Sequence, residues 1–293
     1  MIESAAGLHD AVERLYGSGV SVDRRKTIAG GCINRAGLLE LSNGERLFLK
    51  EHGRDPTGMM AAEAMGLAAL EAVGQIRVPQ PLAHWEDEEN QYLLLEYLSE
   101  GSRKPRFWEE FGTAMAALHR GSPPGPFGFE VDNFIGATPQ KNGWCESWIT
   151  FFGERRLLFQ IGLAEKRGLA DSDMSRGVRK IVDRLESLLV EPEKRALLHG
   201  DLWSGNYMVG PGGDAVIIDP AAYFGHPEAD LAMTELFGRF GSPFYEAYRE
   251  AGGLDPGYQE RRDLYNLYHM MNHLNLFGGG YAGSVRSIIR KYV

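Results

Sequence analysis

The chain contains the stretch Leu198-His199-Gly200-Asp201-Leu202-Trp203-Ser204-Gly205-Asn206, which is followed by Val216-Ile217-Ile218-Asp219-Pro220. Asn206 comes five residues after Asp201, and Asp219 comes thirteen residues after that amide. Short apolar runs precede both acids, as they do where a buried strand ends in a loop. The spacing predicts that two acids and one amide lie at separate points of one polar site.

Phosphoryl transfer requires this order of residue types. A base accepts the proton of the attacking hydroxyl, and oxygen ligands hold the Mg²⁺ that bridges the nucleotide phosphates. Asp201 suits the first task, whereas Asn206 and Asp219 suit the second. Protein kinases keep the same Asp-to-Asn interval after a His-Arg dipeptide, but Gly200 replaces the Arg here. The second acid lies in Ile-Asp-Pro rather than Asp-Phe-Gly, which favours a small-molecule kinase of that fold.

The acids of this region could also have purely structural roles instead of catalytic ones. A His-Gly-Asp triplet can be an ordinary turn, since Gly and Asp favour turns without any catalytic role. Agreement of Asn206 and Asp219 with one kinase spacing favours the catalytic interpretation. Asp230, further along, is predicted either to brace the catalytic loop through backbone amides near His199 or to cap a helix.

The N-terminal part predicts a helix over residues 3–16 and then strands over 20–28, 35–41 and 45–50, with Ser42-Asn43-Gly44 as a hairpin turn. The first two strands are separated by Gly30, Gly31, Cys32, Ile33 and Asn34, where glycine lets backbone amides approach a phosphate. Lys50 follows by one hairpin, as the phosphate-binding lysine does in kinase folds. Taken alone, the glycines would be a turn and Lys50 an edge-strand lysine.

A helix is predicted over residues 57–73, with Gly74 as its stop. Glu63 within it is predicted to pair with Lys50, the alternative being a residue that faces solvent. Further strands are predicted over 82–85 and 92–98, and the second would end where a kinase contacts adenine. The candidates for that contact are Glu96, Tyr97 and Leu98.

After Gly101 the pattern becomes helical, which predicts lobes at residues 1–98 and 99–293. Helices are expected over 107–119, 148–167, 175–189 and 265–277, and the aromatic residues Trp144, Trp148, Phe151 and Phe152 are expected in the core. His269, Asn272 and His273 share one face of the last helix. That face could be a substrate pocket, a structural polar network or, with two histidines, a metal site.

Composition excludes several classes of protein. With 293 residues and 43% hydrophobic content the chain can form a large core without disulfides. Its formal net charge of −9 disfavours nucleic acid as a partner. Nothing at the start of the sequence resembles the charged and apolar regions of a signal peptide, and no apolar run reaches membrane-spanning length. The two cysteines have no disulfide or metal spacing. We therefore expect a cytoplasmic protein with no membrane partner.

The chain resembles the fructosamine kinase (ketosamine-3-kinase) family over nearly its whole length. The resemblance rests on the run from Leu197 to Asn206, on Asp219-Pro220-Ala221 and on Tyr223-Phe224-Gly225-His226-Pro227-Glu228. Further matches are Gly31-Cys32-Ile33-Asn34, Phe127-Gly128-Phe129, Asn142-Gly143-Trp144 and Asn272-His273. The catalytic triplet with its Asn and Asp is shared with aminoglycoside phosphotransferases and choline kinases, which are related folds.

The resemblance implies an α+β, protein-kinase-like bilobal fold, with an N-terminal antiparallel sheet, one key helix and a larger, mainly helical C-terminal lobe. It implies ATP and Mg²⁺ as cofactors and phosphorylation of a sugar hydroxyl, usually the 3-hydroxyl, on a small-molecule or protein-bound ketoamine. Asp201 would be the base, Asn206 and Asp219 the metal ligands, and Lys50 with Glu63 the phosphate-binding pair. Substrate contacts would come from Trp203, His226, Glu228, His269, Asn272 and His273.

Several alternatives stay open. The acceptor could instead be an aminoglycoside, choline or a thiosugar, or the chain could be a kinase-fold nucleotide-binding module without catalysis. Cys32 could make ATP binding redox-sensitive or be a small buried hydrophobe. The sequence leaves open whether the protein is a monomer or a homodimer.

Overall fold

The computed structural model of the protein describes residues 4–28, 34–54, 58–252, 254 and 256–293. The chain divides into two compact units. The first comprises Met1–Phe107 and Met208–Asp219, and the second comprises Trp108–Tyr207 and Pro220–Val293. The division differs from the predicted boundary at residue 98, because residues 99–107 and 208–219 also belong to the first unit.

A five-stranded antiparallel sheet forms the centre of the first unit, in the order β1-β2-β3-β5-β4. Its strands are β1 (Val22–Ile28), β2 (Arg35–Leu41), β3 (Arg46–Gly53), β4 (Pro81–Glu86) and β5 (Asn90–Glu96). The predicted strands are all present, and their ends differ by three residues or fewer. The Ser42-Asn43-Gly44 hairpin is confirmed, since Gly44 has a φ of 86° and Leu41 N–H donates to Glu45 O.

The two faces of this sheet are covered by different helices. On one face, Leu39 and Leu49 pack in a core cluster with Ala11 and Val12 of helix α1 (Leu8–Tyr16). Successive side chains of a strand point to opposite faces, so Lys50 points away from α1. Helix α2 (Met59–Val73) packs on β3, β4 and β5. It ends at Gly74, whose φ is 68°, as predicted.

Residues 208–219 return to the first unit through backbone hydrogen bonds. Gly101 N–H donates to Val209 O at 2.9 Å, and Ile217 N–H donates to Arg77 O at 3.0 Å. Lys104 also pairs with Asp214. These contacts join segments far apart in the chain, which explains why no local pattern predicted them.

Helices dominate the second unit. In chain order they are α3 (Phe107–Arg120), which begins at the last residue of the first unit, α4 (Trp148–Phe151), a π-helix (Phe152–Leu158), α5 (Phe159–Lys166), α6 (Ser172–Val182), α7 (Leu185–Leu188), α8 (Pro227–Thr234), α9 (Ser242–Gly252), α10 (Tyr258–Phe277), a 3₁₀ turn (Gly279–Tyr281) and α11 (Ala282–Tyr292). The predicted helix over 148–167 is present, but its middle is π-helical, which turns Phe152, Arg156 and Leu157 together into the core. The prediction over 175–189 corresponds to α6 and α7.

Short strand pairs connect these helices. They are β6 (Asn133–Ile135) with β7 (Thr138–Gln140), β8 (Ala196–Leu198) with β11 (Tyr223–Gly225), and β9 (Tyr207–Val209) with β10 (Ala215–Ile217). In the β8–β11 pair, Leu198 lies opposite Tyr223. This pairing places the loop that starts at His199 beside the segment that leads into Tyr223.

Trp148, Phe151 and Phe152 are buried as predicted, with ring centroids of Trp148 and Phe152 5.4 Å apart. The core prediction for Trp144 is wrong, because this side chain is 45% exposed. Trp144 precedes α4 and packs at the surface against Phe224 and the Arg195 guanidinium. Among the described helices, none combines the length and the apolar character needed to span a bilayer.

Close packing of α3 against α9 generates a stability prediction. A Cβ on Gly112 of α3 would lie 2.1 Å from Phe244 O, so Gly112→Ala must push the helices apart. We expect a loss of about 2 kcal/mol of unfolding free energy, measured by urea denaturation. The matched control is Gly162→Ala on α5, which has open space and should gain about 0.5–1 kcal/mol. Equal effects of the two substitutions would contradict this account.

Candidate active site

Two carboxylates bind Lys50 in the first unit. Lys50 Nζ lies 2.5 Å from Glu63 Oε1 on α2 and 2.9 Å from Asp219 Oδ1. The lysine is buried and lies on the sheet face opposite α1. The predicted pairing with Glu63 is therefore confirmed, and Asp219 joins it.

The charges around Lys50 keep it protonated. Burial alone would lower the pKa of Lys50, but the carboxylates of Asp219 and Glu63 outweigh burial and raise it. Burial raises the pKa of Glu63, and the Lys50 charge opposes that effect. The Lys50 side chain therefore stays positively charged, as electrostatic binding of phosphate requires.

Asp219 has an unusual backbone conformation. Its φ is 55°, and it is the one non-glycine residue with positive φ among the described residues. Such a conformation costs a non-glycine residue about 1 kcal/mol or more and persists only where the surroundings hold it. The side chain is 54% exposed, and one of its oxygens already contacts Lys50. The carboxylate is thus accessible from solvent while it contacts Lys50.

The other predicted nucleotide contacts have mixed outcomes. Gly30, Gly31, Cys32 and Ile33 lie outside the described residues, and with them lies the redox hypothesis for Cys32. Asn34 is described, and its Oδ1 lies 2.9 Å from His52 Nδ1.

At the end of β5, the Glu96 carboxylate accepts hydrogen bonds from Arg77 at 2.5 Å and from Gln80 N–H at 2.6 Å. Tyr97 lies under the Arg46 guanidinium, 4.6 Å from ring centroid to Cζ, and Leu98 is half-buried. The Glu96 side chain is thus occupied by its neighbours, and adenine contact by this segment stays a prediction.

The catalytic loop of the second unit brings Asp201 and Asn206 together. Asn206 Nδ2 donates to Asp201 O at 2.8 Å and to Asp201 Oδ2 at 3.0 Å. Both amide hydrogens are thereby used, so Asn206 Oδ1 remains as the atom that can face a cation. Gly200 has a φ of 82°, and a Cβ there would lie 2.1 Å from Ala221 O. Only glycine fits this turn.

The Asp230 carboxylate fixes the backbone of the catalytic loop just before Asp201. On α8, its Oδ2 accepts His199 N–H at 2.7 Å and its Oδ1 accepts Gly200 N–H at 2.8 Å. The predicted bracing role is confirmed, whereas the N-cap of α8 is His226. Burial would raise the pKa of Asp230, but hydrogen bonds from His119 and Gly200 and nearby histidine charges lower it overall. The carboxylate therefore stays ionised and accepts both amides.

Sequence reasoning missed two residues that support Asp230. His119 Nε2, at the end of α3, donates to Asp230 Oδ2 at 3.1 Å, and the Tyr248 hydroxyl lies 2.8 Å from His119 Nδ1. All three side chains are buried. A histidine in the last turn of a helix is commonplace, so no local signal distinguished it.

Trp203 is half-buried and follows Asp201 by two residues. Its ring meets Phe237 edge-on at 6.2 Å between centroids, and Phe237 in turn contacts His273 at 4.5 Å. Ser204 Oγ donates to Phe237 O, which ties this turn to the same segment. The three rings form a continuous aromatic surface in the second unit.

His226 and Glu228 are buried structural residues. His226 caps α8 by accepting Glu228 N–H, and the Glu228 carboxylate pairs with Arg261 through bonds of 2.6 and 2.8 Å. Burial, aided by the Arg261 charge, lowers the pKa of His226 to about 3, so it is neutral. Their burial opposes the prediction that they contact substrate directly.

The histidine face of α10 is partly buried. His269 and Asn272 are buried, and Asn272 accepts from Gln160 and donates to Ile135 O, both at 3.3 Å. His273 is half-buried and donates to His269 O at 2.9 Å. Within the described ranges no group of three or more His, Cys, Asp and Glu side chains could hold a metal ion.

The donor set suits the cofactors implied by the sequence. Carboxylate and amide oxygens, here Asp219 and Asn206 Oδ1, are the ligands that Mg²⁺ prefers in proteins. A buried, protonated lysine paired with a helix glutamate is the kinase arrangement for nucleotide phosphates. Lys50, Glu63 and Asp219 belong to the first unit, whereas Asp201 and Asn206 belong to the second.

Replacement of Asp230 tests the brace. Asn offers one oxygen to two backbone amides, so we expect Asp230→Asn to displace the loop and lower turnover about 100-fold. Nucleotide affinity should persist, because the Lys50 site lies in the other unit. Asp263→Asn, which removes partly exposed ion pairs to Lys291 and Arg262, is the control and should change turnover less than twofold. Steady-state kinetics measure turnover, and nucleotide titration measures nucleotide affinity. Unchanged turnover in Asp230→Asn would show that Asp230 is not needed to hold the catalytic loop in place.

Comparisons with known proteins agree with this geometry. A family model described as fructosamine kinase matches residues 6–293. A probable ketoamine kinase from Synechocystis sp. is 41% identical over 280 residues, with 96% of this chain and 94% of that one covered. A chloroplastic protein-ribulosamine 3-kinase from Arabidopsis thaliana is 39% identical, with 94% and 85% covered.

Solved structures agree as well. A Thermobifida fusca protein assigned as a fructosamine-3-kinase aligns with a TM-score of 0.86 at 33% identity, covering 98% and 99% of the two chains. A thermostable mutant of an aminoglycoside phosphotransferase aligns at 0.59 and 18% identity, covering 97% and 98%, which shows a shared fold alone. The fold is thus α+β and protein-kinase-like, as predicted. By sequence match over residues 6–293, the chain belongs to the fructosamine kinase family.

Proposed function

We propose that the protein is an ATP-dependent kinase that phosphorylates a sugar hydroxyl, most simply the 3-hydroxyl, of ketoamine adducts. The observation that carries the proposal is the catalytic loop, in which Asp230 fixes the backbone before Asp201 and Asn206 binds the Asp201 carboxylate. The names of the relatives, ketoamine kinase and protein-ribulosamine 3-kinase, supply the substrate class. Removal of the phosphorylated sugar from an amine makes this a deglycation activity.

Each residue has one task in this proposal. Asp201 accepts the proton of the attacking hydroxyl, and Asn206 holds that carboxylate in place. Lys50 binds the α and β phosphates, and Glu63 keeps the lysine oriented. When bound by Asn206 Oδ1 and Asp219, Mg²⁺ would neutralise charge on the nucleotide phosphates.

The aromatic surface formed by Trp203, Phe237 and His273 is our candidate wall for the sugar. One of its members, Trp203, follows Asp201 by two residues, and all three rings are partly exposed. The apolar C–H face of a sugar can pack on such rings while its hydroxyls stay free. His226, Glu228, His269 and Asn272 would then shape the pocket from behind without contacting the substrate. A cytoplasmic location and a small-molecule or protein-bound ketoamine as the substrate belong to the same proposal.

The acceptor class is tested with a panel of substrates. ATP consumption with a fructosamine and a ribulosamine compound is compared with kanamycin and choline, and we expect turnover with the ketoamines only. Asp201→Asn should lower that turnover about 100-fold, the scale of losing general-base assistance. The exposed Asp183→Asn serves as control and should be unaffected. Turnover with kanamycin or choline alone would replace the ketoamine assignment, and nucleotide binding without any turnover would support a non-catalytic module.

The metal assignment is tested with Asp219→Ala. We expect the gain in nucleotide affinity that Mg²⁺ gives over EDTA to disappear, because a metal ligand is lost. Asp214→Ala is the matched control, since Asp214 is an aspartate of the same unit with similar exposure and should keep the Mg²⁺ effect. Isothermal titration with and without Mg²⁺ measures both variants. A persistent Mg²⁺ effect in Asp219→Ala would remove Asp219 from the metal site.

A further inference from the structure

Two buried amide side chains of the β6–β7 hairpin bind the backbone just after Asp219. Asn133 Nδ2 donates to Ala222 O at 2.8 Å, and Gln140 Nε2 donates to Ala221 O at 3.0 Å. Both side chains are almost inaccessible to solvent. Backbone carbonyls only accept, so the nitrogen of each amide must face its carbonyl. We call Asn133 and Gln140 the amide pair.

The oxygens of the amide pair are held by further donors. Asn133 Oδ1 accepts from Gln140 Nε2 at 2.8 Å and from Asn142 Nδ2 at 2.7 Å. Gln140 Oε1 accepts from the Tyr268 hydroxyl at 2.6 Å. Arg156, on the π-helix, donates to Asn142 Oδ1 at 2.8 Å. The orientation of both amides is thus set by Asn142, Tyr268 and Arg156, which lie in three different segments.

The bound backbone also touches the catalytic loop. Ala221 N–H donates to His199 O at 2.9 Å, and Ala221 O lies so close to Gly200 that a Cβ there would be 2.1 Å away. Ala221 is therefore held on one side by Gln140 and on the other by the residues before Asp201. A backbone carbonyl that lost its donor here would be buried without a partner, which is costly.

Asp219 needs such support. It stands two residues before Ala221, has a left-handed φ of 55°, and is followed by Pro220, whose ring restricts the conformation of the residue before it. A strained residue keeps its conformation only if its surroundings determine it. On the C-terminal side, hydrogen bonds from the β6–β7 hairpin hold Ala221 and Ala222, the second and third residues after Asp219.

We propose that Asn133 and Gln140 are positioning residues, which fix the backbone of Pro220–Ala222 and thereby orient the Asp219 carboxylate for Mg²⁺. The inference rests on the proposed role of Asp219 in metal binding. The β6–β7 hairpin thus has a positioning role that no motif in its sequence indicates. Neither residue touches the reacting groups in this proposal.

The experiment compares Asn133→Asp and Gln140→Glu with Asn266→Asp. Each replaces an amide donor by a carboxylate, and Asn266 is a matched control because it is equally buried and its Nδ2 donates to Ala232 O at 2.9 Å. Hydrogen exchange of the metal-free protein should quicken about tenfold at Ala221, His199 and Gly200 in the first two variants only. The Mg²⁺ concentration for half-maximal nucleotide binding should rise by a similar factor, while affinity in EDTA stays unchanged.

A merely structural role predicts a different result. If the three variants lose thermal stability alike, with the exchange at those amides and the Mg²⁺ requirement unchanged, the inference is overturned. Asn133→Ser and Gln140→Met avoid a buried carboxylate and repeat the test should the first variants fail to fold. Exchange and nucleotide binding need no acceptor substrate, so absence of ketoamine turnover would refute the proposed function and leave this inference standing.

Discussion

The catalytic loop depends on one buried carboxylate. Asp230 receives two consecutive backbone amides, His199 and Gly200, on its two oxygens, and His119 fills a third direction. Two successive N–H groups can point at one acceptor only if the backbone turns sharply, and Gly200 supplies the left-handed φ that this turn needs. Asp201 therefore leaves the turn in a fixed direction, as the proposed role of a base requires.

A second constraint acts in the first unit, where one ammonium lies between two carboxylates. Lys50 offsets only part of the charge of Glu63 and Asp219, so the cluster keeps negative charge at the exposed Asp219 end. Such a cluster suits a divalent cation that arrives with its phosphates rather than a bare anion. The same pairing joins the sheet, α2 and the end of β10, so the groups assigned to nucleotide also hold the unit together.

The polar residues singled out from the sequence are structurally important, but several of them do not have the substrate-binding role that was predicted. His226, Glu228, His269 and Asn272 were predicted to contact substrate, and each is buried among protein partners or packed side chains. A polar side chain in an apolar context signals that it needs a partner, and the partner can be protein as readily as ligand. Burial, which depends on the whole fold, separates these cases, and it leaves Trp203 and His273 as the accessible members of the predicted set.

The sequence by itself determined the strand and helix order of the first unit and the identities of Asp201, Asn206, Asp219, Lys50 and Glu63. The strand order and the pairing of Lys50 with Glu63 are confirmed, because neighbouring positions fix spacing within a hairpin or one helix turn. The functional roles of these five residues stay predictions. Tertiary structure alone decided the roles of His119, Tyr248, Gln140 and Arg261, whose partners are more than 30 residues away in the chain. It also decided that residues 208–219 return to the first unit and that a helix becomes π-helical around Arg156. Long-range hydrogen bonds and burial leave no periodic mark in a sequence, because they depend on which distant segments the folded core brings together.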